Sequence, residues 1–573
     1  MTATLEAPAA AAPDDDAAPP EPRPIPAALA PWQDPHPLLG WLSTFVIAIF
    51  AGFTRFWALG FPPGQNSIPK QNMIFDEVYY APEAQEMLRY GYEDNRGYMF
   101  IVHPPLGKWL IAASEWLWDS PSTSQEYLSN SIGWRLAPAL FGCFSVIIVS
   151  RTVRRMMRST LFGFIAGALM CMEGLSLVLA RTAILDIFLQ FFVVAAFGAL
   201  VIDRDKMRAR LARLIADGAD LGDGVPTLGP RPWRLLGGVL LGLACAVKWT
   251  GAYFFIAFIL MSLIWDRAAL KSAGVQHPTR NWGRRAVLPG LGSFILVPIG
   301  AYLLSFLGWF AGENGWNRHW ADTHGTSARL KLPLGLRVPF NWGWVPSPVR
   351  SLGDWTYNAY QFHKHLTSPH TYQSNPWSWL VLGRPVDFYY NGSNYPSAAA
   401  SPCGSTSCSR EILLIGTPLM WWAFIPMLLW LAWHWLTTRD WRAAAVWVAF
   451  IAGWLVWFTN LGRTMFLFYM APLVPFLIIG LTLALGTMLG PALGARPDRD
   501  EIAEAADPEE WEAAEDRADA YERSARRRRW GLAGMCVFLG LVVVDFAWMW
   551  PIFTGGMLSY NEWHAHMWLP SWV

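Results

Sequence analysis

Two adjacent carboxylates, Asp76 and Glu77, lie in the stretch Phe-Asp-Glu-Val-Tyr-Tyr, which leads into a helix-like segment through Leu88. Neighbouring side chains point in different directions on a helix or in a turn. One carboxylate can therefore face a reacting hydroxyl as a general base while the other contacts a second group. The alternative is structural, because Asp is a favoured residue at a helix N-terminus. Spacing alone favours the structural role.

A histidine and a lysine follow at the start of the next predicted helix. His103 and Lys108 belong to the sequence His-Pro-Pro-Leu-Gly-Lys, which opens an amphipathic stretch from Trp109 to Trp118. Such a stretch could lie in the plane of a membrane surface. Both side chains could approach a lipid phosphate, Lys108 as a point charge. An interfacial anchor, with the lysine reaching toward headgroups, is an equal alternative.

Five further ionisable residues lie within or beside apolar segments: Glu173, Arg181, Asp186, Lys248 and Arg463. Ionisable groups in a membrane span are costly, usually face the protein interior and mark functional sites. We place the three cations at the outer ends of their segments, where together they would suit an anionic lipid phosphate. An Arg181–Asp186 ion pair and separate anchors at headgroup level are the structural alternatives.

Aromatic and amide side chains cluster between residues 370 and 390. This cluster contains Trp377, Arg384, Tyr389 and Tyr390. Ring faces and hydrogen-bonding groups of this kind suit a groove for a sugar or a peptide. They equally suit an aromatic belt at a membrane surface.

The chain that carries these residues is built for a lipid environment. Of its 573 residues, 53% are hydrophobic and 15% charged, whereas soluble proteins have about 25% charged residues. A net charge of +1, grouped in patches between apolar runs, argues against a nucleic-acid-binding protein. A helix needs about 20 apolar residues to cross a bilayer, which predicts an all-α membrane protein with about eleven spans. The predicted spans lie near residues 39–59, 134–150, 160–180, 183–202, 234–249, 252–266, 286–310, 413–437, 443–459, 464–490 and 530–552.

Basic residues set the predicted orientation. Arg and Lys are concentrated after the second, fourth, sixth and eighth spans and before the eleventh. Because basic loops stay in the cytoplasm, the N-terminus is predicted to be cytoplasmic and the C-terminus external. This count treats Lys248-Trp249-Thr250-Gly251 as a turn between two helices. A single kinked helix would invert the downstream half.

The same count divides the chain into four parts. Residues 1–37 are predicted to form a disordered cytoplasmic tail, and residues 38–490 a membrane domain with two large outer loops, 60–133 and 311–412. Residues 491–529 form a charged cytoplasmic connector. Residues 530–573 contain the last helix and an external C-terminus.

Two of the six cysteines, Cys403 and Cys408, flank a short polar stretch in the second outer loop. A disulfide between them is reasonable if that loop faces an oxidising compartment. We find no Walker A motif, dinucleotide fingerprint or zinc-ligand spacing. ATP-driven and dehydrogenase chemistry are therefore unsupported.

Six stretches resemble the protein O-mannosyltransferase family, specifically its bacterial, actinobacterial-type branch. They run in family order from about residue 40 to 555 and cover nearly the whole membrane domain. The stretches are FDEVYYAPEA, HPPLGKWLI, LARTAILDIFL, AVKWTGAY, SNPWSWLVLGRPVDFYY and GRTMFLFYMAPLVPF.

The resemblance implies a GT-C fold in the cell membrane and transfer of mannose from polyprenyl phosphate mannose to Ser or Thr of exported polypeptides, with inversion. The implied partners are the donor lipid, these acceptors and, as a candidate, the Sec translocon, without nucleic acid. It implies no cofactor beyond the lipid donor and no metal.

The resemblance also assigns roles to individual residues. Asp76 matches the proposed catalytic base, Glu77 its neighbour that organises the catalytic site, and Arg181 a residue near the donor phosphate. Further supporting roles in donor binding and around the site are expected for His103, Lys108, Lys248, Arg463, Glu173, Asp186, Trp377, Arg384, Tyr389 and Tyr390.

Two features depart from eukaryotic members. The interval 311–412 is too short for their β-trefoil domain alongside the aromatic motif, so acceptor selection must differ. Phe468-Tyr469 stands where eukaryotic relatives commonly have His-Tyr.

Three other functions remain open at this point. One is another GT-C transferase that acts on cell-wall glycan or lipid. The second is a transporter or flippase of lipid-linked sugar, which would place charges and broken helices near the midplane with access from both sides. The third is a scaffold or receptor, for which the outer carboxylates would be dispensable.

Overall fold

Helices dominate the fold because, in hydrocarbon, backbone N–H and C=O groups must be satisfied within one segment. The computed structural model describes residues 24–62, 73–94, 102–119, 131–219, 221, 229–331, 337–490 and 508–573. The helices are α1 Pro37–Phe56, α2 Glu77–Tyr90, α3 Leu106–Asp119, α4 Ser131–Met157, α5 Thr160–Cys171, α6 Gly174–Leu179, α7 Asp186–Ala216, α8 Pro232–Val247, α9 Gly251–Ser272, α10 Pro278–Ser305, α11 Leu307–Ala311, α12 Trp320–Thr323, α13 Ser347–His365, α14 Pro376–Trp379, α15 Pro418–Thr438, α16 Trp441–Trp454, α17 Val474–Met488, α18 Pro508–Thr554 and α19 Tyr560–Ala565. The strands are β1 Ser327–Lys331, β2 Arg337–Asn341, β3 Val386–Asn394, β4 Ser407–Leu414 and β5 Met557–Ser559.

The predicted multi-pass helical class is confirmed, but the count of eleven spans is not. Within the described ranges, nine helices are long and apolar enough to cross a membrane. The third and fifth predicted spans correspond to α5 and α8, which are apolar but shorter. The most deeply embedded helices are α7 and the run Leu467–Met488, since 89% of each apolar window is buried.

The segment around Lys248 is a turn between two helices. Helix α8 ends at Val247, and α9 begins at Gly251 after the Gly251 N–H donates to the Lys248 carbonyl over 2.9 Å. A Cβ on Gly251 would lie 2.7 Å from the carbonyl carbon of Ala244, so the tight reversal requires glycine. The single kinked helix is therefore excluded.

Helices α8 and α10 pack closely through two glycines spaced four residues apart. A Cβ on Gly238 would overlap the Ser293 carbonyl, and one on Gly242 would lie 2.5 Å from the Pro298 carbonyl. Small residues at this spacing let helix backbones approach in a membrane, where packing rather than the hydrophobic effect drives association. This contact fixes α10 against α8.

The side of the bundle that the sequence predicts to be cytoplasmic is more ordered than expected. Residues 24–36 pack beneath the helices: Leu29 is fully buried, Asp34 pairs with Arg154, and Arg208 donates to the Ala28 carbonyl. The predicted disordered tail is thus wrong for residues 24–36, because the buried Leu29 side chain and the contacts with basic side chains hold them in place. Residues 1–23 lie outside the described ranges.

Part of the predicted charged connector is helical. Residues 508–529 belong to α18, which continues without a break into the last predicted span. Residues 491–507 lie outside the described ranges.

On the opposite side, the loops form small sheets, so the fold is not entirely α-helical. Strands β3, β4 and β5 make a three-stranded antiparallel sheet in that order, and β1 pairs with β2. The Cys403–Cys408 disulfide closes the β3–β4 connection. Since β5 follows α18, the sheet joins the second outer loop to the C-terminal segment.

The α8–α10 contact predicts a sharp difference between two glycines. Gly242→Val should lower the thermal unfolding midpoint in detergent by several degrees, because overpacking costs about 1–3 kcal/mol. Gly300→Ala is the matched control on α10, since none of the described atoms lies within 4 Å of its added Cβ. Equal midpoints for the two variants would contradict the close packing described above.

Candidate active site

A buried ion pair fixes the start of α2. Arg135 on α4 donates to both oxygens of Glu77, from Nε to Oε1 over 2.8 Å and from Nη2 to Oε2 over 2.7 Å. The same carboxylate accepts the Ile74 N–H at 2.9 Å and the Ala183 N–H at 2.8 Å. Both side chains are fully buried. Glu77 is therefore saturated with hydrogen bonds and ties α2 to α4 and to the start of α7.

Asp76 is held beside this pair by a strained neighbour. Phe75 has φ +49°, a left-handed conformation that a bulky residue adopts only when the surroundings impose it. Its ring stacks on Phe388 of β3 at 5.1 Å and meets Phe468 at 5.8 Å. Its edge-on contacts with His370 and Phe466 are both 5.7 Å. This aromatic cluster fixes the direction in which the next residue points.

The Asp76 carboxylate is not a helix cap. Asp76 occupies the N-cap position of α2 but makes no side-chain capping bond. Its side chain is partly exposed, and it accepts no hydrogen bond from any residue that the structure describes. The structural interpretation of Asp76 is therefore wrong, whereas Glu77 is the structural member of the pair.

The charges around Asp76 come from three elements. Lys248 at the end of α8 pairs with Asp186 at the start of α7, Nζ to Oδ2 over 2.6 Å. Burial raises the pKa of Asp76 to about 6, Lys248 opposes this, and the charges of Asp186 and Glu83 add to it. A carboxylate with this pKa is ionised at neutral pH yet basic enough to accept a proton.

Two imidazoles and an arginine border the same region. The rings of His103 and His363 lie 5.0 Å apart. Arg463 donates from Nε to the His363 carbonyl over 2.9 Å and from Nη1 to the Tyr469 hydroxyl over 3.1 Å. Burial and the nearby cations lower the pKa of His103 well below its usual value and that of His363 to about 4. Both imidazoles are therefore neutral hydrogen-bonding groups, and Lys248 supplies a second cation beside Arg463.

Three predicted site residues have other partners. Lys108 is buried in an ion pair with Glu83 at 2.8 Å and in a second with Glu93, so it neither faces a phosphate nor reaches toward headgroups. Arg181 donates to the Trp57 and Ala58 carbonyls.

Glu173 also has a structural role. It caps α6 by accepting from the Leu175 and Ser176 N–H groups, and it accepts the Trp421 indole N–H. The alternative Arg181–Asp186 ion pair does not form, because Asp186 pairs with Lys248. Of the predicted cations, Lys248 lies beside Asp186, and Arg463 lies beside Tyr469.

The predicted aromatic residues spread over the outer layer. Trp377 is 56% exposed. Arg384 donates to the carbonyls of Ser571 and Val573 and so anchors the C-terminus. Tyr389 packs edge-on against Phe61 at 5.4 Å. Tyr390 lies 5.3 Å from Trp563 and bonds the Ser409 hydroxyl. These contacts stabilise the sheet, and none of them joins Asp76 directly.

Sequence reasoning missed Arg135, His363 and the conformation of Phe75. Arg135 is an arginine inside the second predicted span, and such intramembrane charge was a usable signal. His363 lies in His-Lys-His at the end of α13, far from the other site residues in sequence. A positive φ at phenylalanine has no sequence signature.

Two family models match the chain. "Dolichyl-phosphate-mannose-protein mannosyltransferase" matches residues 45–311, and "C-terminal four TMM region of protein-O-mannosyltransferase" matches residues 352–488. The chain belongs to the protein O-mannosyltransferase family. Every residue of the site described above falls within these two regions.

Bacterial members are similar over nearly their whole length. A polyprenol-phosphate-mannose–protein mannosyltransferase of Mycobacterium tuberculosis is 39% identical over 557 residues, 96% of this chain and 95% of its own. The protein of the same name from Corynebacterium glutamicum is 34% identical over 539 residues, 92% of both chains.

A solved structure shares the fold. The Saccharomyces cerevisiae protein O-mannosyltransferase Pmt1-Pmt2 complex, bound to the sugar donor, aligns with a TM-score of 0.66 and 15% identity. The alignment covers 94% of this chain and 93% of the yeast chain. The GT-C fold expected from the sequence is confirmed.

The different partners of the two carboxylates predict different effects on stability. Glu77→Gln should destabilise the protein by about 3–5 kcal/mol, because it leaves Arg135 buried without its charge partner. Asp76→Asn should change the unfolding midpoint little, since the Asp76 carboxylate holds no described partner. Thermal unfolding of both variants in the same detergent compares them. A stable Glu77→Gln protein would show that the ion pair does not hold α2 in place.

Proposed function

We propose that this protein transfers mannose from polyprenyl phosphate mannose to Ser or Thr hydroxyls of exported polypeptides, with inversion and with Asp76 as the base. One observation carries the proposal: Asp76 is partly exposed and free of described hydrogen-bond partners, while its neighbour Glu77 is fully engaged. Curated relatives that span nearly the whole chain are named for this activity.

The reaction needs one proton acceptor and a stabilised leaving group. The acceptor oxygen forms a bond to the anomeric carbon as the bond from that carbon to the donor phosphate oxygen breaks. The hydroxyl proton goes to Asp76, which typically accelerates such a step by about 10²–10⁴-fold. The electron pair leaves with the lipid phosphate, so no acid is required to protonate it.

Cations at the other side of the site receive that charge. Lys248 and Arg463 are the candidates, because they lie 6.0 Å and 5.3 Å from the centre of the Tyr469 ring and Lys248 acts on the charge of Asp76. Both also have protein partners, Asp186 for Lys248 and the His363 carbonyl for Arg463. The neutral imidazoles of His103 and His363 add hydrogen-bonding groups without adding charge. Preorganised groups of this kind stabilise charge where it develops in the transition state.

An outer location of this site is supported by two features. Phe75, next to Asp76, packs on the sheet that carries the Cys403–Cys408 disulfide, and disulfides persist in oxidising compartments. The basic residues of α4 lie at its other end: Arg154 is 19 residues beyond Arg135, about 28 Å along a helix. By the positive-inside rule that end is cytoplasmic. We extend the proposal to the cell membrane, with the N-terminus inside and the C-terminus outside.

The alternatives fit less well. A flippase needs access to its substrate site from both faces, whereas the candidate site here lies at one end of the bundle. Another GT-C transferase would share the base and the cations, but the curated relatives act, by name, on protein. Because acceptors are exported chains, the Sec translocon stays part of the proposal as a candidate partner, and the absence of a metal or other cofactor stays a prediction.

The base role predicts the effect of a single substitution. Asp76→Asn should lower kcat for mannose transfer to a Thr-containing peptide by roughly 10²–10⁴-fold, because the hydroxyl proton has no acceptor. Asp322→Asn, at an exposed outer carboxylate in α12, should leave the rate unchanged. The assay uses purified protein and synthetic polyprenyl phosphate mannose. A folded Asp76→Asn protein with an unchanged rate would remove Asp76 from the chemistry.

The pKa of Asp76 predicts the pH dependence. Protonated Asp76 cannot accept a proton, so kcat/KM should fall as the pH drops below about 6 and level off above it. Since Lys248 lowers the pKa of Asp76, Lys248→Met should move this acid limb to higher pH. Transfer rates from pH 4.5 to 8 in both proteins test the shift. A flat profile in the wild type would mean that another group is the base.

A further inference from the structure

The direction of acceptor approach follows from the inverting reaction. Inversion requires the attacking oxygen and the leaving oxygen to lie on opposite sides of the anomeric carbon. Lys248 and Arg463 mark the side of the leaving phosphate. Asp76 marks the side of the attacking oxygen. The ring of Phe75, beside it, stacks on Phe388 of β3 and also meets Phe468, over which Lys248 lies. An acceptor polypeptide that approaches along β3 therefore arrives beside Asp76.

Strand β3 has a free edge on this path. In the sheet order β3–β4–β5, β3 pairs with β4 alone, and no other described strand covers it. The residues beyond the bulge between Asp387 and Tyr389 are mostly exposed. Exposed edge strands are templates for pairing with another chain, and folded proteins usually block them.

The register identifies the residues that face this edge. Just beyond β3, the Tyr395 N–H donates to the Thr406 carbonyl over 2.8 Å, which makes these two residues a bonded pair. Bonded and non-bonded pairs alternate along an antiparallel ladder. Asn391 and Ser393 therefore bond toward β4, while the N–H and C=O groups of Gly392 and Asn394 point outward.

The edge suits an approaching backbone. Gly392 lies inside the strand, where glycine often marks the close approach of another chain. Its neighbours Asn391, Ser393 and Asn394 are polar, so this edge can face water without apolar side chains that would need to be covered.

We propose that the acceptor polypeptide binds as an added strand along the free edge of β3, paired with Gly392 and Asn394, which carries its Ser or Thr hydroxyl toward Asp76. This deepens the proposed function and rests on it. Main-chain pairing accepts many sequences, since the affinity comes from backbone hydrogen bonds and only the hydroxyl residue is selected. Extended segments of exported chains before folding are the substrates that such an edge fits.

Backbone methylation of the acceptor tests this without altering the enzyme. A synthetic Ala-rich peptide with one Thr is N-methylated at one residue at a time and assayed with wild-type protein. Because alternate N–H groups of an added strand face β3, kcat/KM should fall about tenfold at every second position and little at the positions between. A uniform effect, or none, would overturn the added strand.

A matched pair of variants tests the enzyme side. Gly392→Pro removes the outward N–H at an edge position that tolerates proline, and it should raise KM for peptides about tenfold with little change in kcat. Gly392→Ala keeps that N–H, and the three atoms nearest to its added Cβ belong to the flexible Tyr390 side chain, the closest at 3.3 Å. It should resemble the wild type. An unchanged KM in a folded Gly392→Pro protein would refute the pairing.

The outcomes separate the two proposals. If wild-type protein transfers no mannose to any peptide, the proposed function fails and the added strand fails with it. If it transfers mannose without the alternation, only the added strand is wrong. If Gly392→Pro does not fold, the methylation series decides alone.

Discussion

The bidentate Arg135–Glu77 ion pair is the interaction on which the rest of the site depends. Removing two charges from water costs several kcal/mol each, and a buried pair is tolerable only when the remaining hydrogen-bond positions are filled. Here the Ile74 and Ala183 N–H groups bond the carboxylate, and the arginine also donates to the Leu59 and Phe61 carbonyls. The two side chains thus join the segment after α1, the start of α2 and the segment before α7. This junction sets the position of Asp76, which directly precedes Glu77.

Saturation of partners, rather than charge itself, separates the structural carboxylate Glu77 from its neighbour Asp76. Several ionisable residues are engaged by partners that a substrate would have to displace. These residues are Glu77, Glu173, Lys108 and Arg181. Leaving any of those partners unpaired would cost about 1–3 kcal/mol or more. A hydroxyl therefore meets a carboxylate whose local bonding is incomplete more readily than one that is fully engaged. Residue type alone does not reveal that difference.

Features set by interactions within a short stretch of chain were predictable from the sequence. Features set by contacts between distant elements were not. The apolar runs and the glycine turn at residue 251 are encoded within short stretches, so the helices and the reversal after α8 were predictable. Lys108 was misjudged because Glu83 and Glu93 approach it only after α2 folds against α3. The same holds for α18, whose charged first half is stabilised as an extension of an apolar helix. The β3–β4–β5 sheet could not be foreseen, since α15 to α18 separate β5 from β3 and β4.

That sheet also explains how a short outer loop can support acceptor binding. The interval 311–412 has no room for a β-trefoil domain beside the aromatic motif, so the acceptor must be held by elements already packed on the membrane helices. Strand β3 touches Phe75 through Phe388, and Arg384 ties the C-terminus to the same layer. These contacts hold the start of β3, and pairing with β4 holds the rest of the strand. An edge held in this way loses little conformational freedom when a chain pairs with it, which favours binding. Under the proposed function, selection by backbone shape needs no separate domain, and Asp76 is the group that requires a hydroxyl.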